Sequence, residues 1–132
     1  MNRTYQTIFG NKKGNCFAAC FASIFEIPLE EIPNFVDVKE SWWKGVVDWC
    51  AEHGVFPFPV DVEQSKKSGW GLPPGYTILS GKSPRGDWLH SVVARGGTVV
   101  HDPHPSCAGL EDIQECLVFI VLDPALCAQR RT

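Results

Sequence analysis

The segment CFAACFASIF, residues 16–25, contains ten residues without a charge and with a single hydroxyl group. We interpret it as an α-helix that is apolar on every side, ended before Pro28. Such a helix must be covered all round, because any face left in water would expose hydrophobic side chains. The sequence therefore predicts a central helix near the start of the chain, with the other elements packed around it.

A second helix is indicated over residues 41–54, SWWKGVVDWCAEHG. Ser41 is the predicted N-cap and Gly54 the predicted C-terminal cap. One face carries tryptophan, valine and cysteine and the opposite face carries charges, so the pattern favours core packing for the tryptophans. Between the two helices, IPLEEIPNF indicates a short helical turn that Pro33 closes.

After residue 54 the pattern becomes that of strands. VFPFPVDV is extended, and its two prolines predict an edge strand or a loop. GYTILSGKS predicts a second strand, and residues 88–95 and 98–102 predict a hairpin turning at Gly96 and Gly97. The apolar run 116–123 predicts a central strand. Helices followed by an antiparallel sheet give an α+β fold, with helices over about 15–54 and strands over about 55–123.

The chain has 132 residues, which suits one domain over 1–132 with one core. Its formal net charge is −3 and no basic run exceeds two residues, which argues against a nucleic-acid partner. No apolar stretch is long enough to cross a bilayer, so no membrane partner is expected. The first residues lack an apolar signal segment, and we therefore expect a cytoplasmic protein.

Six cysteines are many for this length. In a reducing cytosol they are expected to be free thiols, and Cys20, Cys50 and Cys116 lie in apolar contexts typical of buried cysteines. A zinc-stabilised interaction domain is an alternative, since Cys107 follows two histidines at spacings of three. No C-x2-C pair is present and prolines interrupt that cluster, so we expect no metal and no other cofactor.

Cys16 stands where the central helix begins, directly after Gly14 and Asn15. A helix N-terminus carries positive potential and unpaired N–H groups, both of which favour a thiolate. The backbone N–H at such a position can also help to hold an oxyanion. Cys16 is therefore a candidate nucleophile, with a buried structural cysteine as the alternative.

A nucleophilic thiol needs a base, and His90 lies within the apolar strand LHSVV. Asp102 follows twelve residues later, at the end of the other hairpin strand. With the turn at 96–97, the two residues are predicted to lie at the same end of the hairpin and on one face. A carboxylate there would orient the imidazole and stabilise its protonated form.

The turn GNC opening a buried helix, followed by H-x-VV and then DP, resembles the papain-like cysteine peptidase superfamily. The nearest form is the bacteriocin-leader-processing type with its small peptidase-like relatives. The resemblance implies a papain-like fold, with Cys16 as nucleophile, His90 as general base and acid, and Asp102 as the orienting carboxylate. These motifs cover about a dozen residues, while the order of elements extends over the whole chain.

Three further residues are candidates for the oxyanion site or the cleft. The family usually places a glutamine about six residues before the cysteine, whereas Gln6 lies ten before Cys16. Asn15 is an alternative donor. Trp88, two residues before His90, is expected to share its face and to form one wall of the cleft. His101, His104 and Trp70 are expected in surface loops.

The resemblance implies a cysteine hydrolase that cleaves a peptide, isopeptide or related amide bond through an acyl-enzyme on Cys16. Its partner would be a peptide, a protein or a small amide substrate. Two alternatives stay open at this point. An amine in place of water gives an acyltransferase or transglutaminase on the same residues, and the scaffold can also serve as a non-catalytic binding or regulatory module.

Overall fold

The computed structural model describes residues 1–10, 14–37 and 42–129. The predicted N-cap Ser41 lies outside these ranges. The helices are α1 (Cys16–Phe25), α2 (Trp42–Glu52), α3 (Val62–Lys67) and α4 (Pro124–Gln129), with 3-10 turns at Leu29–Glu31 and Phe35–Asp37. The strands are β1 (Val55–Asp61), β2 (Tyr76–Lys82), β3 (Leu89–Arg95), β4 (Thr98–His101) and β5 (Asp112–Val121).

The five strands form one antiparallel sheet in the order β1-β5-β2-β3-β4. The α+β architecture and the antiparallel sheet are confirmed. The last strand lies between β1 and β2, as its apolar run predicted, although it begins four residues earlier, at Asp112. The short helices α3 and α4 were not predicted from the sequence.

The edge position of β1 is confirmed, and its prolines explain why this edge is protected. Pro57 and Pro59 alternate with Phe56 and Phe58 along the strand, which pairs with β5 on one side alone. Proline has no N–H to offer to another chain, so strands bearing it resist edge-to-edge pairing.

The helix α1 lies at the centre of the larger core, as its apolar sequence predicted. Phe21 is fully buried and contacts aromatic rings from α2 and β5, namely Trp49 and Phe119. The single hydroxyl group of this helix, on Ser23, donates to the Ala19 carbonyl and accepts from the Thr4 amide. The first residues of the chain are thereby fastened along α1.

A second, smaller cluster lies on the other face of the sheet, beneath α3. Alternate residues of one strand belong to the two clusters: Ile78 packs with α1 and Leu79 packs with Val62 of α3. Beside α3 lies a groove of about 680 Å³, lined in part by Phe58, Leu72 and the largely exposed Trp70. This groove includes none of the predicted site residues.

None of the helices in the described ranges is both long and apolar enough to cross a membrane. All six cysteines fall within those ranges, and no two of them form a disulfide. Cys20, Cys50 and Cys116 are buried, as their apolar sequence contexts predicted.

Candidate active site

Cys16 is the first residue of α1 and directly follows Gly14 and Asn15. Position 14 requires glycine, because a Cβ there would lie 2.7 Å from the Gly10 carbonyl oxygen. Asn15 precedes the helix with a non-helical backbone and gives it no side-chain cap. The first N–H groups of α1 have no partner inside the helix. The side chain of Asn15, at the N-cap position, accepts no hydrogen bond from them.

The side chain of Asn15 holds the N-terminal segment instead. Its Oδ1 accepts hydrogen bonds from the amides of Thr7 and Ile8, and its Nδ2 donates to the Thr7 hydroxyl. A residue with three such bonds is a structural anchor of the loop before Cys16. One of the two N–H groups of the Asn15 side-chain amide is therefore engaged with Thr7.

Gln6 is buried beside the same loop. Its Nε2 donates to the Ile8 carbonyl, while its backbone N–H donates to the carbonyl of Pro103, the residue after Asp102. The Gln6 Oε1 is buried without a hydrogen-bond partner among the described residues. Gln6 thus connects the segment before Cys16 to the loop that carries Asp102.

His90 is the second residue of β3 and is only 2% exposed. Its Nε2 lies 2.7 Å from Asp102 Oδ1, and Cys16 is near enough to act on the pKa of the ring. Because Nε2 is occupied by the carboxylate, Nδ1 is the nitrogen left for the thiol. The structure therefore brings Cys16, His90 and Asp102 together, with a hydrogen bond between the last two.

The surroundings of His90 favour its protonated form. Burial lowers the pKa of the imidazole, but the hydrogen bond to Asp102 and the influence of the neighbouring Cys16 outweigh burial and raise that pKa to about 9. A hydrogen bond to a charged acceptor is stronger than one between neutral groups, which is why the carboxylate can reverse the effect of burial.

Asp102 lies just beyond β4 and is held by the loop that follows it. Its Oδ1 accepts from the backbone N–H of His104 at 2.9 Å, and its Oδ2 accepts from that of Gly109 at 2.8 Å. Burial raises the pKa of the carboxyl group, but the bonds from His90, His104 and Gly109 outweigh it, and the pKa is lowered. Both oxygens are occupied, so the carboxylate is fixed in orientation.

A β-bulge interrupts the β3–β4 ladder just before Asp102. An unbroken ladder from the turn at 96–97 would pair Asp102 with Ser91, so the prediction that the turn alone sets His90 and Asp102 on one face is wrong. The bulge makes Val100 an extra residue and shifts the register by one. The register on its two sides pairs Ala94 with Val99 and Val93 with His101.

Cys20 lies one turn further along α1 and is completely buried. Burial, followed by the nearby Cys16 and Asp102, raises its pKa well above the ordinary value. It therefore stays a protonated thiol at neutral pH, whereas Cys16 is partly exposed and has an imidazole beside it. The two thiols of one helix thus differ in accessibility and in their partners.

One sequence expectation around the site is wrong. His101 is not a surface residue: it ends β4, is buried, and donates from Nε2 to the Thr4 carbonyl at 2.7 Å. Trp88 lies just before β3, its carbonyl accepts from the Ser83 N–H, and its indole packs over Gly86. Its role as a wall of the cleft stays a prediction.

His104 and Gly109 were missed as partners of Asp102, since they act through backbone N–H groups that any residue except proline provides. The glycine itself was a usable signal, because Gly109 adopts a positive φ of 74° in the loop that returns to the carboxylate. Within the described ranges, no three His, Cys, Asp or Glu side chains are grouped so that they could hold a metal ion.

Comparison with known proteins found no protein-family model, no curated protein and no solved structure that matches this chain.

Proposed function

We propose that the protein is a cysteine-dependent hydrolase with a papain-like arrangement, cleaving a peptide, isopeptide or related amide bond. The observation that carries this proposal is the buried His90, which is hydrogen-bonded to Asp102 and has Cys16 beside its ring. A histidine needed for packing alone has no use for both a neighbouring thiol and a bonded carboxylate. In catalysis by a thiol, each of the two contacts has a role.

The first half of the reaction acylates Cys16. A protonated imidazole stabilises a neighbouring thiolate, and the sulfur attacks the carbonyl carbon of the substrate to form a C–S bond. As the tetrahedral intermediate collapses, the C–N bond breaks and the leaving nitrogen takes a proton from His90. The products of this half are an amine and a thioester on Cys16.

The second half releases the acyl group. Neutral His90 takes a proton from water as its oxygen attacks the thioester carbonyl, and the C–S bond then breaks to give a carboxylic acid and the Cys16 thiolate. Asp102 keeps Nε2 protonated, so the imidazole exchanges its catalytic proton through Nδ1. An amine entering in place of water would give acyl transfer by the same steps.

The negative oxygen of the tetrahedral intermediate needs hydrogen-bond donors. The uncapped N-terminus of α1 supplies the backbone N–H of Cys16, directly beside the attacking sulfur. The structure favours this backbone donor over the side chain of Asn15, whose amide is bonded to Thr7.

A labelling experiment tests the proposal, with Cys107 as an internal control. Cys107 is exposed and is not part of the group formed by Cys16, His90 and Asp102. We expect iodoacetamide near pH 7 to alkylate Cys16 faster than Cys107, as measured by peptide mass spectrometry, because the thiolate is the reacting species. His90→Ala should slow labelling of Cys16 at least tenfold and leave Cys107 unchanged. Equal rates at the two thiols in the wild-type protein would contradict the proposal.

Turnover is tested with a pool of internally quenched peptides randomised on both sides of the cleaved bond. The wild-type protein is expected to cleave members of the pool, while Cys16→Ser and Cys16→Ala are not. Cleavage that persists in both variants would show that another group carries the reaction.

A further inference from the structure

The ring of His104 borders the proposed active site and takes no part in the steps above. Its edge-on contacts join His90, at 6.3 Å between ring centroids, to Phe9, at 5.4 Å. The His104 side chain is half-buried, and Phe9 is 52% exposed. His104 therefore links the imidazole of His90 to the exposed ring of Phe9.

One hydrogen bond fixes the tautomer of His104. The backbone N–H of Ser106 donates to its Nδ1 at 3.0 Å, and a backbone N–H can only donate. Nδ1 is consequently an acceptor without a proton, so the neutral ring carries its proton on Nε2.

The charges around His104 keep the ring in that neutral form. Burial lowers its pKa, and the positive charges of Arg85 and His90 act in the same direction while Asp102 opposes them. Protonation would also cost the bond from Ser106. At neutral pH the ring thus presents one fixed N–H donor and no positive charge.

We propose that His104 and Phe9 form the subsite for the leaving-group side of the substrate, a proposal that rests on the proposed function. His90 must protonate the leaving nitrogen, so the leaving group lies against His90, and His104 is in contact with that ring. The Nε2–H of His104 donates to the carbonyl oxygen of the leaving residue. Phe9 packs on that residue's side chain, so the subsite selects an apolar amino-acid residue with its own carbonyl group.

The ring can be altered without removing the support for Asp102. The bond from His104 to Asp102 comes from the backbone N–H, which every replacement except proline keeps. Two replacements then separate the ring's two nitrogens. His104→Asn retains an acceptor for Ser106 in place of Nδ1 but has no group at Nε2. His104→Gln can supply an amide N–H near the position of Nε2.

The test compares two peptides based on a sequence cleaved from the randomised pool. In one, the leaving residue has its normal carbonyl; in the other, a methylene group replaces that carbonyl. We expect His104→Asn to lose about ten times more kcat/KM on the first peptide than on the second, as removal of one hydrogen bond predicts. His104→Gln should recover most of the loss, and Phe9→Ala should weaken selection of apolar leaving residues.

Alkylation of Cys16 by iodoacetamide, which has no peptide leaving group, serves as the readout of triad integrity. A loss in His104→Asn that is equal for both peptides and accompanied by slower alkylation would mean that the ring supports the triad, which overturns the subsite. Full activity of His104→Asn on both peptides would overturn it as well. A wild-type protein that neither labels selectively at Cys16 nor cleaves any peptide overturns the proposed function together with the subsite.

Discussion

At the scale of single residues, the imidazole of His90 is the group whose state depends most on its surroundings. It is buried, and burial alone would keep it neutral. The carboxylate of Asp102 reverses this because its own charge is secured by two backbone N–H donors. The protonated imidazole is therefore a consequence of the loop after β4 as much as of the His–Asp pair itself.

Replacing Asp102 by Asn should lower the pKa of His90. The variant removes the negative charge and the charged acceptor, while burial of the ring remains. We expect the ring of His90 to titrate near pH 9 in the wild-type protein and at least one pH unit lower in Asp102→Asn, as measured by NMR of 15N-labelled histidine.

Asp87→Asn is the matched control for that titration, since it makes the same chemical change at an exposed position. It should leave the midpoint of His90 in place. An unchanged midpoint in Asp102→Asn would show that the carboxylate is not what raises the pKa of the imidazole.

At the scale of secondary-structure elements, Gly81 in β2 and Gly45 in α2 differ in what an added side chain would contact. Gly81 lies in β2, opposite His90 in β3, where the ladder to β5 is irregular. A Cβ at this position would collide with the backbone of Asp112. Gly45 lies on the exposed side of α2, and a Cβ there would meet Phe35 at an ordinary distance of 3.8 Å.

Alanine substitutions at these glycines should therefore change stability in opposite directions. Gly81→Ala is expected to reduce the free energy of unfolding by about 2–3 kcal/mol, because two strand backbones must move apart. Gly45→Ala should increase it by about 0.5–1 kcal/mol, because alanine is the better helix former. Urea denaturation measures both, and a neutral Gly81→Ala would mean that β2 and β5 are not so closely paired at this point.

At the scale of the whole molecule, the His90–Asp102 pair makes stability depend on pH. The folded-state pKa of His90 is raised, so its contribution is fully present below about pH 6.5 and is lost as the pH rises through about 9. The pKa of Asp102 is lowered, so its contribution is present above the ordinary value of 3.8 and is lost as the pH falls through the folded-state value.

Between pH 6.5 and 8.5 we expect the free energy of unfolding to decrease by about 2 kcal/mol. This window lies below the pH range in which ionisation of the Cys20 thiol would further reduce the free energy of unfolding. Urea denaturation of the wild-type protein and of His90→Gln measures the effect. The variant should be less stable at pH 6.5 but nearly independent of pH in this window; an equal slope in both proteins would assign the dependence to other groups.

Much of this architecture follows from local sequence. The helix 16–25 is specified by ten consecutive uncharged residues, and the position of Cys16 at its start by the glycine and asparagine before it. The hairpin is specified by Gly96 and Gly97, both of which adopt a positive φ in the turn. These features depend on neighbours along the chain, and periodicity and turn chemistry reveal them directly.

The tertiary structure alone decided how the pieces of the site meet. The extra residue at Val100, the burial of His101 against Thr4 and the return of Gly109 to Asp102 all depend on contacts between distant parts of the chain. A shift of one residue in the β3–β4 register exchanges the two faces of a strand, and the position of that shift is visible only in the folded ladder. The sequence by itself therefore determined which residues were candidates, while packing around α1 determined that Asp102 faces His90.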